Sequence, residues 1–218
     1  MHSPKIDYRV YLVTDDPSRY RGNWLDNVVA AVEGGVTCVQ YRDTESSREV
    51  QYERLKVLKD ALKGRGAALV VNNDAELARA ISADGVHVGQ SDQPPEEVRA
   101  IVGSDCEIGL SITAPSQLPR AFALNRGGFV DALGVGPVFD ARKTKKDASD
   151  ALGLDGFASI AASIHASTAM PVIAIGGITL DNAAQVRSAG ADALAVVSAF
   201  SKSDNPREIA VRFAEAYC

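Results

Sequence analysis

The residues able to do chemistry gather at a few places in the chain. The segment 139–153, FDARKTKKDASDALG, carries Arg142, Lys143, Lys145 and Lys146, interrupted only by Thr144. A charge run of this kind is ordinarily a solvated face. Guanidinium forks and mobile ammonium groups are also the usual partners of phosphate oxygens. Arg42 ends an apolar run that contains Gln40 and Tyr41, and it precedes Asp43 and Thr44. Gly176 and Gly177, within IGGIT, form either a plain turn or a backbone that a phosphate can approach closely. The pair Val197-Ser198, at the end of another run, favours the phosphate reading. Oxygen ligands stand at Asn72, Asn73 and Asp74 after one run and at Asp92 after the next. Mg²⁺ needs only one or two carboxylates when substrate phosphates complete its shell, although Asp74 also stands where a helix cap belongs. Ser111 closes a further run. His87 lies inside a run rather than at its end and reads as packed in a barrel wall; His2 and His165 have no place in a site. No Ser-His-Asp or Cys-His arrangement can be assembled, so the inventory fits charge stabilisation better than an acid–base pair.

These residues need a scaffold that brings run ends together. Eight short apolar runs recur: VYLVT at 10–14, CVQYR at 38–42, ALVVN at 68–72, GVHVG at 85–89, EIGLS at 107–111, ALGVG at 132–136, PVIAIG at 171–176 and ALAVV at 193–197. They alternate little between polar and apolar, as strands of a parallel sheet covered on both faces do. Helical patterns lie between them, at Trp24–Glu33, Asp74–Ser82, Pro94–Val102, Leu180–Ser188 and Asn205–Ala216. Eight strands alternating with about eight helices predict a (β/α)8 TIM barrel, an α/β fold, as one domain over residues 1–218. The rival, a doubly wound sheet, carries a glycine-rich fingerprint after its first strand; here that place reads Thr-Asp-Asp-Pro. In a barrel the loops after the strands form the active face, which is where the polar residues above fall.

The length, 218 residues, suits one such barrel. With 28 acidic against 23 basic residues the net charge is −5, which argues against a nucleic-acid partner but leaves room for a local anion site. Cys38, Cys106 and Cys218 have no CxxC spacing, so neither a zinc site nor a disulfide framework is expected. No apolar run is long enough for a membrane helix, and MHSPKIDYRVYLV lacks a signal-peptide core. The expectation is a cytoplasmic protein without a membrane partner. The oligomeric state stays open, a homo-oligomer included.

The motifs YLVTD, GVTCVQYRD, ADGVHVGQSD, IGLS, GVGPVF followed by TKKD, and IAIGGITLDNAAQVRSAGAD together resemble the thiamine-phosphate synthase (thiamine-phosphate pyrophosphorylase) family over about residues 10–213. The resemblance implies a barrel transferase that joins hydroxymethylpyrimidine diphosphate to a thiazole phosphate, or its carboxylate, with Mg²⁺. Diphosphate would leave first, and the thiazole nitrogen would capture the pyrimidine-methyl cation. On this pattern the pyrimidine diphosphate meets Gln40, Tyr41, Arg42, Asp43, Thr44, Asn72, Ser111 and Lys145. The thiazole phosphate meets Arg142, Lys143, Thr144, Gly177, Val197 and Ser198, and the metal meets Asn73 and Asp92. Arg42, Ser111 and Lys145 would be the catalytic groups. Two positions depart: Thr44 stands where the family has lysine, and Asn73 where it has aspartate. Two other readings therefore accompany the synthase. One is a catalytically weakened paralogue that binds phosphates of the thiamine pathway. The other is a thiazole-tautomerase-like barrel, which Ser111-Ile112-Thr113 disfavours by offering no histidine.

Overall fold

The computed structural model describes residues 5–140 and 149–217. Eight parallel strands close into a barrel in chain order: β1 Val10–Val13, β2 Cys38–Tyr41, β3 Ala68–Asn72, β4 Gly85–Val88, β5 Glu107–Ile112, β6 Ala132–Val135, β7 Val172–Ile175 and β8 Ala193–Val196. The helices are α1 Trp24–Glu33, α2 Arg48–Leu62, α3 Ala75–Ala80, α4 Pro95–Val102, α5 Leu118–Arg126, α6 Gly153–Ser167, α7 Ala183–Ser188, α8 Ser198–Ser201 and α9 Pro206–Glu215. The expected (β/α)8 barrel is the observed one.

Helix starts follow their caps. Asn23 accepts from the Leu25 amide at 2.8 Å, Asp74 from Leu77 at 2.8 Å and Asn205 from Glu208 at 3.3 Å. Each satisfies an amide that the first helical turn cannot. Helix ends shift by at most two residues elsewhere, and the largest difference from expectation is at α7, which begins at Ala183, not Leu180. The Asn182 side chain accepts from the Thr179 amide and donates to the Gly177 carbonyl, both at 2.9 Å, so residues 179–182 are held as a turn.

Strand parity divides the apolar residues into two sets. Val10, Leu12, Val39, Tyr41, Leu69, Val71, Val86, Val88, Ile108 and Leu110 pack outward with the helices. Tyr11, Val13, Cys38, Val70, Ala132, Ile173, Ala193 and Ala195 face inward, with Ile6 and Tyr8, in a second and smaller cluster. The inner set can be small because β4, β5 and β6 supply glycines at inward positions. A Cβ on Gly109 would stand 2.4 Å from His87 Nδ1, and one on Gly134 would stand 2.8 Å from His87 Cε1. Those two missing side chains make the slot that the imidazole fills.

The segment before β1 crosses the bottom of the barrel. Glu107, at the start of β5, is buried there at 3% exposure. Its Oε2 accepts from the Tyr8 hydroxyl at 2.7 Å, and its Oε1 accepts from the Ile6 amide at 3.3 Å and from the Lys5 amide. A buried carboxylate is tolerable because donors replace its water. Replacing Glu107 with alanine strands these donors, and charged hydrogen bonds are worth about 1.5–3 kcal/mol each in similar settings. We expect Glu107→Ala to lower the melting temperature by roughly 6–12 °C, corresponding to about 3 kcal/mol in a domain of this size. A melting temperature within 2 °C of wild type, roughly the shift expected for under 1 kcal/mol, would show that the strap is held by other contacts.

Candidate active site

The C-terminal ends of β2 to β5 bring four polar side chains to the inward face. Gln40, Asn72, His87 and Ser111 share the parity of the inner cluster, and register sets Asn72 beside His87 and Ser111 beside Gly134. His87 Nε2 lies 2.9 Å from Ser111 Oγ. The Gln90 amide donates to the Ser111 carbonyl at 2.6 Å. Ser111 is thus held by its side chain and by its backbone. His87, read from the sequence as packed in the barrel wall, is packed on its inner side: the ring fills the slot over Gly109 and Gly134, against the candidate site residue Ser111. The sequence signal was present in parity, since His87 alternates with the outward Val86 and Val88 and faces glycines on the next two strands.

The loop after β2 fixes Arg42 through Thr14. Thr14 Oγ1 accepts from the Arg42 amide at 2.8 Å and donates to the Arg42 carbonyl at 3.1 Å. Arg42 is half-buried, and its guanidinium pairs with no carboxylate among the described residues. Its neighbours behave differently. Tyr41 turns outward into the helix layer, with its ring 6.3 Å from that of Trp24. Asp43 Oδ1 accepts from the Glu45 and Ser46 amides at 3.1 and 3.0 Å. Its Oδ2 accepts from the Tyr41 hydroxyl at 2.9 Å and from Arg54 Nη1 at 2.7 Å. Burial opposes the Asp43 charge, but the Ser46 and Glu45 donors outweigh it and hold the carboxyl below the usual range. Tyr41 is pushed up, first by burial and then by Asp43. The side chains of Tyr41 and Asp43 therefore build the loop, and Thr44 at its tip is exposed.

The expected metal edge is only partly charged. Asn73 sits at φ +63°, a conformation that Asn adopts more readily than most residues, and its amide donates to the His87 carbonyl at 2.8 Å. Asp74 cannot take its place without loss. Its carboxylate caps α3 and is gripped by Arg48, with Nε to Oδ2 and Nη2 to Oδ1 both at 3.1 Å. Asp92 Oδ2 accepts from the Gly89 amide at 2.6 Å, while Oδ1 has no donor among the described residues. Asn73 and Asp92 thus offer one amide oxygen and one free carboxylate oxygen on adjacent loops. Among the described residues no three His, Cys, Asp or Glu side chains form a metal cluster.

On the opposite side, β6 and β7 run on as paired chain. The Val138 amide donates to the Ile175 carbonyl at 2.9 Å and the Phe139 amide to the Gly176 carbonyl at 3.0 Å. Gly177 has φ +66°, and a Cβ there would stand 2.6 Å from Phe139 Cβ, so both conformation and space demand glycine. Val197 and Ser198, half-buried, lead into α8. Arg142, Lys143, Thr144 and Lys145 lie outside the described residues.

The loop after β1 adds a buried carboxylate that the motifs did not assign. Asp15 Oδ1 accepts from Arg19 at 3.1 Å and from the Asp16 amide at 3.0 Å, and Oδ2 lies 3.4 Å from Ser201 Oγ in α8. The first and last loops of the barrel are joined there.

A family model described as thiamine monophosphate synthase matches residues 10–200. A thiamine-phosphate synthase of Azorhizobium caulinodans is 39% identical over 205 residues, 94% of this chain and 92% of that protein. One from Chloroflexus aurantiacus is 40% identical over 200 residues, 92% of this chain and 88% of its own length. A solved thiamine phosphate pyrophosphorylase from Pyrococcus furiosus superposes with a TM-score of 0.81 at 29% identity, covering 96% of this chain and 95% of that one. A match of this extent, on a barrel whose mouth carries the residues described, places the chain in the thiamine monophosphate synthase family.

Proposed function

We propose that this enzyme joins hydroxymethylpyrimidine diphosphate to a thiazole phosphate, giving thiamine phosphate and diphosphate, in the cytoplasm. The observation that carries the reading is the mouth itself. An arginine with no carboxylate partner and a carboxylate with one undonated oxygen, both among the described residues, accompany a ring of neutral donors and acceptors, as a diphosphate with its counter-ion requires. In the reaction the C–O bond of the pyrimidine methylene breaks and its electron pair leaves with diphosphate. The lone pair of the thiazole nitrogen then forms the new C–N bond. No proton need be removed, so the reaction needs no general base. Stabilising the leaving charge is the main catalytic task.

Arg42 faces that task with its backbone clamped by Thr14. Gln40, Asn72 and Ser111 serve the pyrimidine side. Ser111 is oriented by His87, so its hydroxyl keeps one direction for the substrate. Gly177, Val197 and Ser198 serve the thiazole phosphate, with Arg142, Lys143 and Thr144, and Lys145 joins Arg42 on the diphosphate. Asn73 and Asp92 fit Mg²⁺ as a substrate-borne ion: one carboxylate, one amide oxygen and the diphosphate itself make a reasonable donor set. Held there with the diphosphate, Mg²⁺ would supply charge neutralisation for the leaving group.

Purified protein with Mg²⁺ and both substrates should release thiamine phosphate and diphosphate in equal amounts. Absence of product at high enzyme concentration would overturn the reading and favour a binding paralogue. Asp92→Asn and Arg42→Gln should each reduce kcat/KM roughly ten- to a hundredfold, the effect of losing one charge-assisted contact of about 1.5–3 kcal/mol. Asn73→Asp restores a second carboxylate, and the Mg²⁺ concentration giving half-maximal rate should then fall. An unchanged Mg²⁺ requirement would remove Asn73 from the metal edge.

A further inference from the structure

Tyr11 stands in the inner cluster, below the mouth and out of reach of solvent at 2% exposure. Register pairs it with Cys38 and pairs Val13 with Gln40, so Tyr11 lies one inward level beneath Gln40 on the neighbouring strand. The Gln40 Nε2 amide donates to the Tyr11 hydroxyl oxygen at 2.8 Å. Cys38, its register partner on β2, is fully buried beside it. Tyr8 packs on the phenol ring, centroids 5.7 Å apart, so the hydroxyl has a fixed address.

The hydroxyl meets the far end of the Gln40 side chain, whose nitrogen is the inward end of the amide. The Gln40 Oε1 meets no donor among the described residues and is left for a ligand. Burial, above all, pushes the Tyr11 phenol far above its ordinary pKa, so it stays a neutral hydroxyl at any working pH.

We propose that Tyr11 is a positioning residue: its hydroxyl anchors the end of the Gln40 side chain and thereby sets the affinity for the pyrimidine diphosphate. The inference rests on the assignment of Gln40 to the pyrimidine side. Tyr11 itself touches no substrate. Its contribution passes through one neutral hydrogen bond in a buried setting, worth a factor of roughly two to ten in binding.

The test is a double-mutant cycle on the full-length protein with Tyr11→Phe, Gln40→Ala and the combination. Calorimetry with the pyrimidine diphosphate and steady-state kinetics with both substrates are read together, alongside melting temperature. We expect Tyr11→Phe to raise Kd and KM for the pyrimidine diphosphate about two- to tenfold, to leave KM for the thiazole phosphate unchanged, and to have no further effect once Gln40 is alanine. Equal changes in both KM values, or a Tyr11→Phe effect that persists in the Gln40→Ala background, would show a general packing role and overturn the inference. Unchanged affinity in Tyr11→Phe would overturn it as well. If wild type binds no pyrimidine diphosphate, the substrate assignment falls and this inference falls with it. Wild-type binding with an indifferent Tyr11→Phe removes this inference alone.

Discussion

The controlling constraint is the finite space inside a closed ring of eight strands. Every second residue points inward, and the volume those residues share cannot be exceeded or left empty without cost. Tyr8, Tyr11 and His87 are large for such a space. They fit because Gly85, Gly109, Gly134, Ala132, Ala193 and Ala195 stand at inward positions on the strands across and beside them. The mouth depends on this exchange. His87 can reach Ser111, and Tyr11 can reach Gln40, only because other strands contribute almost no side chain.

The same economy governs charge. The acidic side chains at the strand ends do not form one negative surface. Asp15, Asp43 and Asp74 are each committed to nearby amides and to Arg19, Arg54 and Arg48 respectively. Asp15 and Asp74 tie neighbouring loops together, and Asp43 closes its own loop onto α2. Among the described residues Asp92 keeps one oxygen without a donor, and Arg42 keeps its guanidinium without a carboxylate. An overall charge of −5 therefore coexists with a mouth suited to anions. The distinction between tied and untied carboxylates matters more for binding than the sum of charges.

Much of the architecture was legible in the chain. Eight buried runs with interposed helices point to a barrel because a parallel sheet closed on itself has no other way to cover both faces of every strand. The ends of those runs point to the mouth for the same reason. What motif spacing could not show was direction. Tyr41 and Asp43 lie in the same short motif as Gln40 and Arg42, yet Tyr41 faces the helix layer and Asp43 folds back onto its own loop. Parity separates Gln40 from Tyr41; for Asp43 only the distant Arg54, eleven residues on, reveals the role. His87 was underread because its partner glycines come from two other strands, a relation that register creates and linear sequence conceals. Asp74 posed the reverse case: its capping position was visible, and the Arg48 pair that completes its commitment was not.

The seam between β1 and β8 has a consequence for how the chain reaches this form. Strand neighbours elsewhere in the ring are joined through one helix, whereas this pair closes a circuit of nearly the whole chain. The contacts that reinforce it span as far: Asp15 to Ser201 over 186 residues, Arg21 to Asp204 over 183, and the Tyr217 hydroxyl to the Arg9 carbonyl over 208. Loop entropy must be overcome before such contacts reward the chain, and proteins rich in them fold slowly. The expectation is that local strand–helix units assemble first and the circuit closes last. Pulsed hydrogen exchange during refolding would then find the β1 and β8 amides protected later than those of β3 to β5.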